Sequence, residues 1–196
     1  MKTFEHGINP LIIKAAIRAE KKIEPVLVRL AETAACNHYK VLRAFQAERV
    51  SDYNFNGTTG YGLGDQGRDS LERVFARVFR SEAALVRSQI VSGTHAIALC
   101  FYGVLRPGDE LLAVTGAPYD TLEELIGIRG EAGGSLRELG VSYKQVDLDP
   151  DGEPQLNKIA EAIGPKTKMV AIQRSRGYAW RQPVDVERIG QIIKAV

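Results

Sequence analysis

Cysteine, tryptophan, methionine and net charge are all scarce in this chain. It has two cysteines, two methionines and one tryptophan in 196 residues, and 26 Lys and Arg against 24 Asp and Glu leave a net charge of +2. Cys36 and Cys100 have no neighbouring Cys or His at zinc-ligand spacing and are too few for a disulfide scaffold; their apolar surroundings, AETAAC and AIALCF, read as buried thiols. The near balance of charge argues against nucleic acid or an acidic lipid surface as a partner. Long apolar runs are also missing. Leu11, Ile12 and Ile13 are cut by Lys14 and no small-residue cleavage site follows, so neither an export leader nor a membrane span is expected and the cytoplasm is the expected location. With 44% hydrophobic and 26% charged residues the composition is that of a folded globular chain.

Apolar residues recur at helical spacing from about Pro10 to Ala35, behind an Asn9-Pro10 start, and Pro25 is expected to bend or split that helix. A second helix is expected over about 38–51. Together they form an arm whose apolar faces would be bare. The segment SDYNFNGTTGYGLGDQGRDS is too glycine-rich for regular structure and reads as a long loop, with Asp69 or Ser70 capping a helix over about 71–79. Beyond it, β-like runs at 85–87, 110–114, 142–148 and 168–173 alternate with helical patterns at 94–105, 119–127 and 155–163 and from about Asp185. That alternation predicts a parallel α/β sheet built from crossovers.

Gly62-x-Gly64-x-x-Gly67 matches a dinucleotide-binding pattern, with Glu82 downstream. The mechanism needs an apolar strand directly before the first glycine, and NFNGTTGY is not one. Ser92-Gly93-Thr94 is a better anion site: it follows the apolar QIV and opens a helix, where backbone N–H groups, two hydroxyls and the helix dipole converge. A capping turn has the same residues. Tyr119, in GAPYDT after the next strand, could lie against a flat ring bound one crossover away, or pack at a helix start. His95 beside the turn reads as a packed residue, and Lys21-Lys22 as a solvated helix face.

The segments GYGLGDQGRDSLERVFARVF, VSGTHAIALCFYGVLRPGDELLAVTGAPYDTLEELIG and AIQRSRGYAWRQPVDVERIGQIIKAV resemble the methionine gamma-lyase-like, or cystathionine beta-lyase-like, proteins associated with aluminium resistance. The resemblance covers essentially the whole chain. It implies a fold type I, pyridoxal-phosphate-dependent transferase-like α/β fold: a helical N-terminal arm, then the first part of a mainly parallel sheet with helices on both faces. Residues 1–68 would be the arm and glycine loop, and residues 69–196 the first part of the large cofactor-binding domain.

By the same resemblance, Ser92, Gly93 and Thr94 are the phosphate cup for pyridoxal 5'-phosphate and Tyr119 is the ring that stacks on the pyridine. Tyr61 and Arg68 belong to the segment that a neighbouring subunit sends toward the phosphate, where a guanidinium pairs bidentately; Arg68 can equally be a solvated helix-start residue. Arg174 and Ser175 lie where relatives contact ring or substrate, while Arg176 and Arg181 can equally be surface charges. The Schiff-base lysine and the aspartate on the pyridine nitrogen are expected beyond Val196, and none of Lys144, Lys158, Lys166, Lys168 or Lys194 stands in a matching motif.

The chain therefore reads as roughly the first half of a carbon–sulfur lyase for a cystathionine- or methionine-like amino acid. Alone it would be inactive; the family implies a homodimer or homotetramer. The rivals are a non-catalytic phosphate- or cofactor-binding partner protein and an NAD-binding oxidoreductase built on the Gly62 motif. No acidic cluster suggests a site for aluminium or another metal.

Overall fold

The structure, a computed structural model, describes residues 7–58, 64–130 and 133–196. The chain divides into two compact units, Met1–Ser88 and Gln89–Val196.

In the first unit, α1 runs unbroken over Pro10–Ala47. Asn9 Oδ1 accepts the Leu11 N–H at 2.9 Å, and Pro10 fills the first turn, where its missing N–H costs nothing. Pro25 does not split the helix. A proline removes one intrahelical bond, and the 38-residue helix absorbs that loss. The separate helix expected from residue 38 is the continuation of α1. A 3₁₀ turn at Asp52–Phe55 leads on, and α2 (Gln66–Phe79) starts earlier than expected because Asp65, not Asp69 or Ser70, is its cap, accepting the Arg68 N–H at 3.0 Å. Gly67 is required there. A Cβ at that position would sit 2.2 Å from the Asn54 carbonyl oxygen. Glu48, at the end of α1, takes hydrogen bonds from both Arg73 and Arg77 of α2.

The run at 85–87 is not a strand. Its Val86 N–H is donated at 2.9 Å to the Glu72 carboxylate, which also takes the Arg87 guanidinium, so the backbone group that a ladder would use is bound to α2.

The second unit is the expected parallel sheet. Its elements are α3 (Gly93–Val104), β1 (Glu110–Ala113), α4 (Asp120–Ile126), β2 (Ser142–Gln145), α5 (Leu156–Ala162), β3 (Thr167–Ala171) and α6 (Val186–Ala195), with strand order β2-β1-β3. The central strand alternates. Leu111 packs with Phe101 of α3, Leu105 just after it, and Leu122 and Ile126 of α4, while Leu112 packs with Ile159 of α5 and Ile192 of α6. Both leucines are fully buried, as a strand covered by helices on its two faces requires.

Register is pinned at the amino ends of the strands. Buried Glu110 takes the Thr167 hydroxyl at 2.7 Å and the Lys144 ammonium at 3.0 Å, so one carboxylate joins all three strands. Burial alone would push its pKa up; the bonds from Thr167 and Lys144 outweigh that and hold it below the ordinary value.

Both cysteines are exposed, against expectation. Cys36 lies on α1, which buries only Ala44, and Cys100 lies on a side of α3 other than the one that Phe101 buries.

Candidate functional site

The helix after β1, α4, lies on one face of the sheet, and the helix after β3, α6, on the other. Neighbouring strands whose following helices diverge leave a crevice beyond their carboxyl ends, the usual ligand position in an open α/β sheet. A cavity of about 420 Å³, on the α3 and α4 side of the sheet, reaches these carboxyl ends at Thr115, Gln173 and Ser175, and its size is within the roughly 300–1,000 Å³ typical of small-molecule sites. Its floor is apolar, with Phe101, Leu111, Ala113 and Met169, and its polar groups include Thr94, Thr115, Tyr119 and Ser175.

Thr94 is in the first turn of α3. The Ser92 hydroxyl accepts the His95 N–H at 3.0 Å, so Ser92 is the helix cap. The first-turn N–H groups of Gly93 and Thr94 have no acceptor within the helix, as at any helix start, and so stay available for an anion. The Thr94 and Thr121 hydroxyls lie 3.0 Å apart across α3 and α4. His95 also accepts the Val91 N–H through Nδ1 at 3.4 Å, a local role in the same turn.

Tyr119 is the residue before α4, where the chain leaves β1 at the buried Thr115. Its ring stacks on Tyr178, with centroids 5.9 Å apart and planes 28° from parallel, and the two hydroxyls are 3.3 Å apart. Donating that hydrogen bond to Tyr178 raises the Tyr119 pKa above the ordinary phenol value, because ionisation would give up the donor. Tyr143, on the cavity wall, is pushed up to about 12, first by burial and then by Asp147 and Glu123.

The cavity thus brings together Thr94, Tyr119 and Ser175, with Ser92 and Gly93 at the same helix start. Arg174 is exposed and is not on the cavity wall. Arg68 belongs to the other compact unit, and Tyr61 lies outside the described residues. The Arg68 side chain is mostly buried, its nearest carboxylate contact is 3.8 Å from Asp65, and its Nε has no hydrogen-bond partner among the described residues. A buried guanidinium with an unused donor is suited to an anion. Within the second unit, the cavity, with its apolar floor, hydroxyls at a helix start and aromatic rim, fits a flat phosphorylated ring such as pyridoxal phosphate. The glycine motif does not gain from the structure: residues 52–55 ahead of it are a 3₁₀ turn, and Gly67 lies inside α2.

The methionine gamma-lyase family model matches residues 12–196. The chain belongs to the methionine gamma-lyase family. A Listeria monocytogenes structure named as a candidate cystathionine beta-lyase involved in aluminium resistance is 50% identical, with a TM-score of 0.87 over 91% of this chain and 44% of that one. The carbon–sulfur lyase involved in aluminium resistance from Clostridium novyi is 44% identical, with a TM-score of 0.91 over 96% of this chain and 45% of that one. The YnbB protein of Bacillus subtilis is 47% identical over 99% of this chain and 46% of its own length. The chain therefore spans less than half the length of these relatives. Its architecture is that of the fold type I pyridoxal-phosphate enzymes.

Four groups at this site escaped the sequence reading: Thr115, Thr121, Gln173 and Tyr178. Thr115 and Gln173 carried a usable signal, since each is the first polar residue after an apolar strand run, ELLAV and KMVAI, at the end where α/β ligands bind. By sequence Arg181 can equally be a surface charge. Its guanidinium instead donates to the carbonyls of Ser175 at 2.7 Å and Gln173 at 3.3 Å, and burial lowers its pKa.

Proposed function

We propose that the protein is a pyridoxal-phosphate-dependent carbon–sulfur lyase acting on a sulfur amino acid, and that this chain supplies the phosphate cup and ring-stacking part of its site. The single observation that carries this reading is the cavity at the carboxyl ends of β1 and β3, where Thr94, Tyr119 and Ser175 converge. The N–H groups of Gly93 and Thr94, with the Ser92 and Thr94 hydroxyls, bind the phosphate. Tyr119 covers the ring, and the apolar floor excludes water from it. Arg68 and Tyr61, from a neighbouring subunit, complete the phosphate site, which makes the active form a homodimer or homotetramer. Ser175, on the cavity wall, faces the ring or the substrate, and the exposed Arg174 beside it reaches the substrate from outside the cavity. The bound cofactor supplies an electron sink for charge developing at the substrate Cα as the carbon–sulfur bond breaks.

Residues 69–196 are then the first part of the cofactor-binding domain and residues 1–68 an arm toward the partner. The lysine that anchors the cofactor is not among the residues assigned here. The enzyme works in the cytoplasm on a small molecule; among the described residues no helix is long and apolar enough to cross a membrane.

The test is the intact mass of the protein from its native source after borohydride reduction, which fixes a lysine–cofactor linkage. The expected result is a phosphopyridoxyl adduct on a polypeptide much longer than 196 residues. An unmodified polypeptide of this length overturns the enzymatic reading and leaves a non-catalytic binding role.

A further inference from the structure

The Tyr119 carbonyl belongs to α4, accepting the Leu122 N–H at 2.7 Å and the Glu123 N–H at 3.3 Å, but its N–H is held from outside the helix. As the residue capping α4 it makes no side-chain capping bond, and its N–H is donated at 2.7 Å to Gln173 Oε1, 54 residues away at the end of β3. Gln173 is itself fixed on each side. Its N–H is donated to the buried Thr115 hydroxyl at 2.8 Å, its Nε2 to the Ser175 carbonyl at 3.2 Å, and its carbonyl accepts Arg181 Nη2 at 3.3 Å. The amide can face only one way, since its oxygen meets a donor and its nitrogen an acceptor. Arg181 also holds the Ser175 carbonyl at 2.7 Å, so the loop after β3 is tied down at two successive points. That loop returns to the tyrosine: a Cβ on Gly177 would lie 3.3 Å from Tyr119 Cδ2.

We propose that Gln173, clamped by Arg181, is the positioning residue that sets the Tyr119 ring at the rim of the cavity. The inference rests on the reading of Tyr119 as the ring that stacks on pyridoxal phosphate. Gln173 acts through the Tyr119 backbone N–H, joining the loop after β1 to the loop after β3. Because β1 and β3 are adjacent parallel strands, the bond converts their fixed register into a fixed place for one aromatic side chain.

The experiment uses the full-length protein with two substitutions. Gln173→Met keeps the volume and removes the acceptor; Gln173→Glu keeps the acceptor and loses the donor to Ser175. Two readouts are taken: hydrogen exchange of the Tyr119 amide, which needs no ligand, and the dissociation constant of pyridoxal phosphate by absorbance titration. Q173M is expected to speed Tyr119 amide exchange and weaken cofactor binding, each by about tenfold, the scale of one hydrogen bond with a donor left unsatisfied. Q173E is expected to restore both to within about threefold, a rescue that general loss of packing would not show.

Cofactor binding by Q173M within about twofold of the parent, below the loss of one hydrogen bond, overturns the proposal. So does a Q173E variant as impaired as Q173M. If Q173M does not fold, Q173E against the parent decides alone: unchanged exchange and affinity support positioning through the acceptor, and parallel loss overturns it. Absence of binding by the parent itself overturns the cofactor reading, and with it the purpose assigned to Gln173, while the exchange arm still shows whether Gln173 holds Tyr119.

Discussion

In Gln89–Val196 the sheet is packed on both faces, and the largest fully buried side chains of the described chain, among them Leu111, Leu112, Ile159 and Ile192, all lie there. In Met1–Ser88 a 38-residue helix buries one residue, Ala44, and leaves Leu11, Val28 and Leu30 more than half exposed. The first of these regions is ordered by its own core. The second is ordered by helix geometry and by polar ties, chiefly the Glu48 carboxylate shared by Arg73 and Arg77. Apolar content alone therefore does not tell which segment folds around itself; what matters is whether the chain returns to cover the apolar face, as α4, α5 and α6 do for the sheet.

Three substitutions probe that contrast. Ile159→Ala, fully buried between α5 and the sheet, is expected to destabilise the protein by about 2–5 kcal/mol in chemical denaturation; a loss below about 1 kcal/mol would deny the second unit its core.

Glu48→Gln is expected to cost about 1 kcal/mol, since its arginine partners are half exposed and water screens them. The bonds from Arg77 and Arg73 hold the Glu48 pKa below its ordinary value in the fold. The stabilisation is thus complete above the ordinary carboxylate pKa and is lost as pH falls through the lowered folded value. Thermal melts followed by circular dichroism should separate parent and variant at neutral pH and converge in acid; a constant gap would mean that the charge is not the agent.

Leu30→Ala, in α1, is expected to change the unfolding free energy by less than about 0.5 kcal/mol at low protein concentration. An effect that instead shifts subunit dissociation on dilution would identify α1 as covered by another copy.

Much of the second unit was legible in the sequence because its signals are local and consistent. The run ELLAV between two turns, RPGD before it and GAPY after it, marks a buried strand and its ligand-bearing end, and Asp185 caps α6 through the Arg188 N–H at 2.8 Å. What was not legible depends on partners distant in sequence. The 85–87 run has strand composition, yet the Glu72 carboxylate takes its N–H group. Cys36 and Cys100 sit in apolar contexts whose faces the described chain does not cover. Pro25 reads as a break only if the turns on either side cannot hold the helix, and they do. At the site, Ser92, Thr94 and Tyr119 stand out as local motifs, whereas Gln173 acquires its role only once β3 is laid beside β1.

Trp180 is fully exposed and is the single tryptophan of the chain, in the loop that Arg181 ties down beside Ser175. Indole emission from the protein therefore comes from one place. In water-exposed surroundings it should peak at long wavelength and be readily quenched by acrylamide, and any ligand or neighbouring chain that covers this loop should shift the emission to the blue and shield it. The molecule has an optical probe of its own in the loop after β3, usable with no label and no assay of turnover.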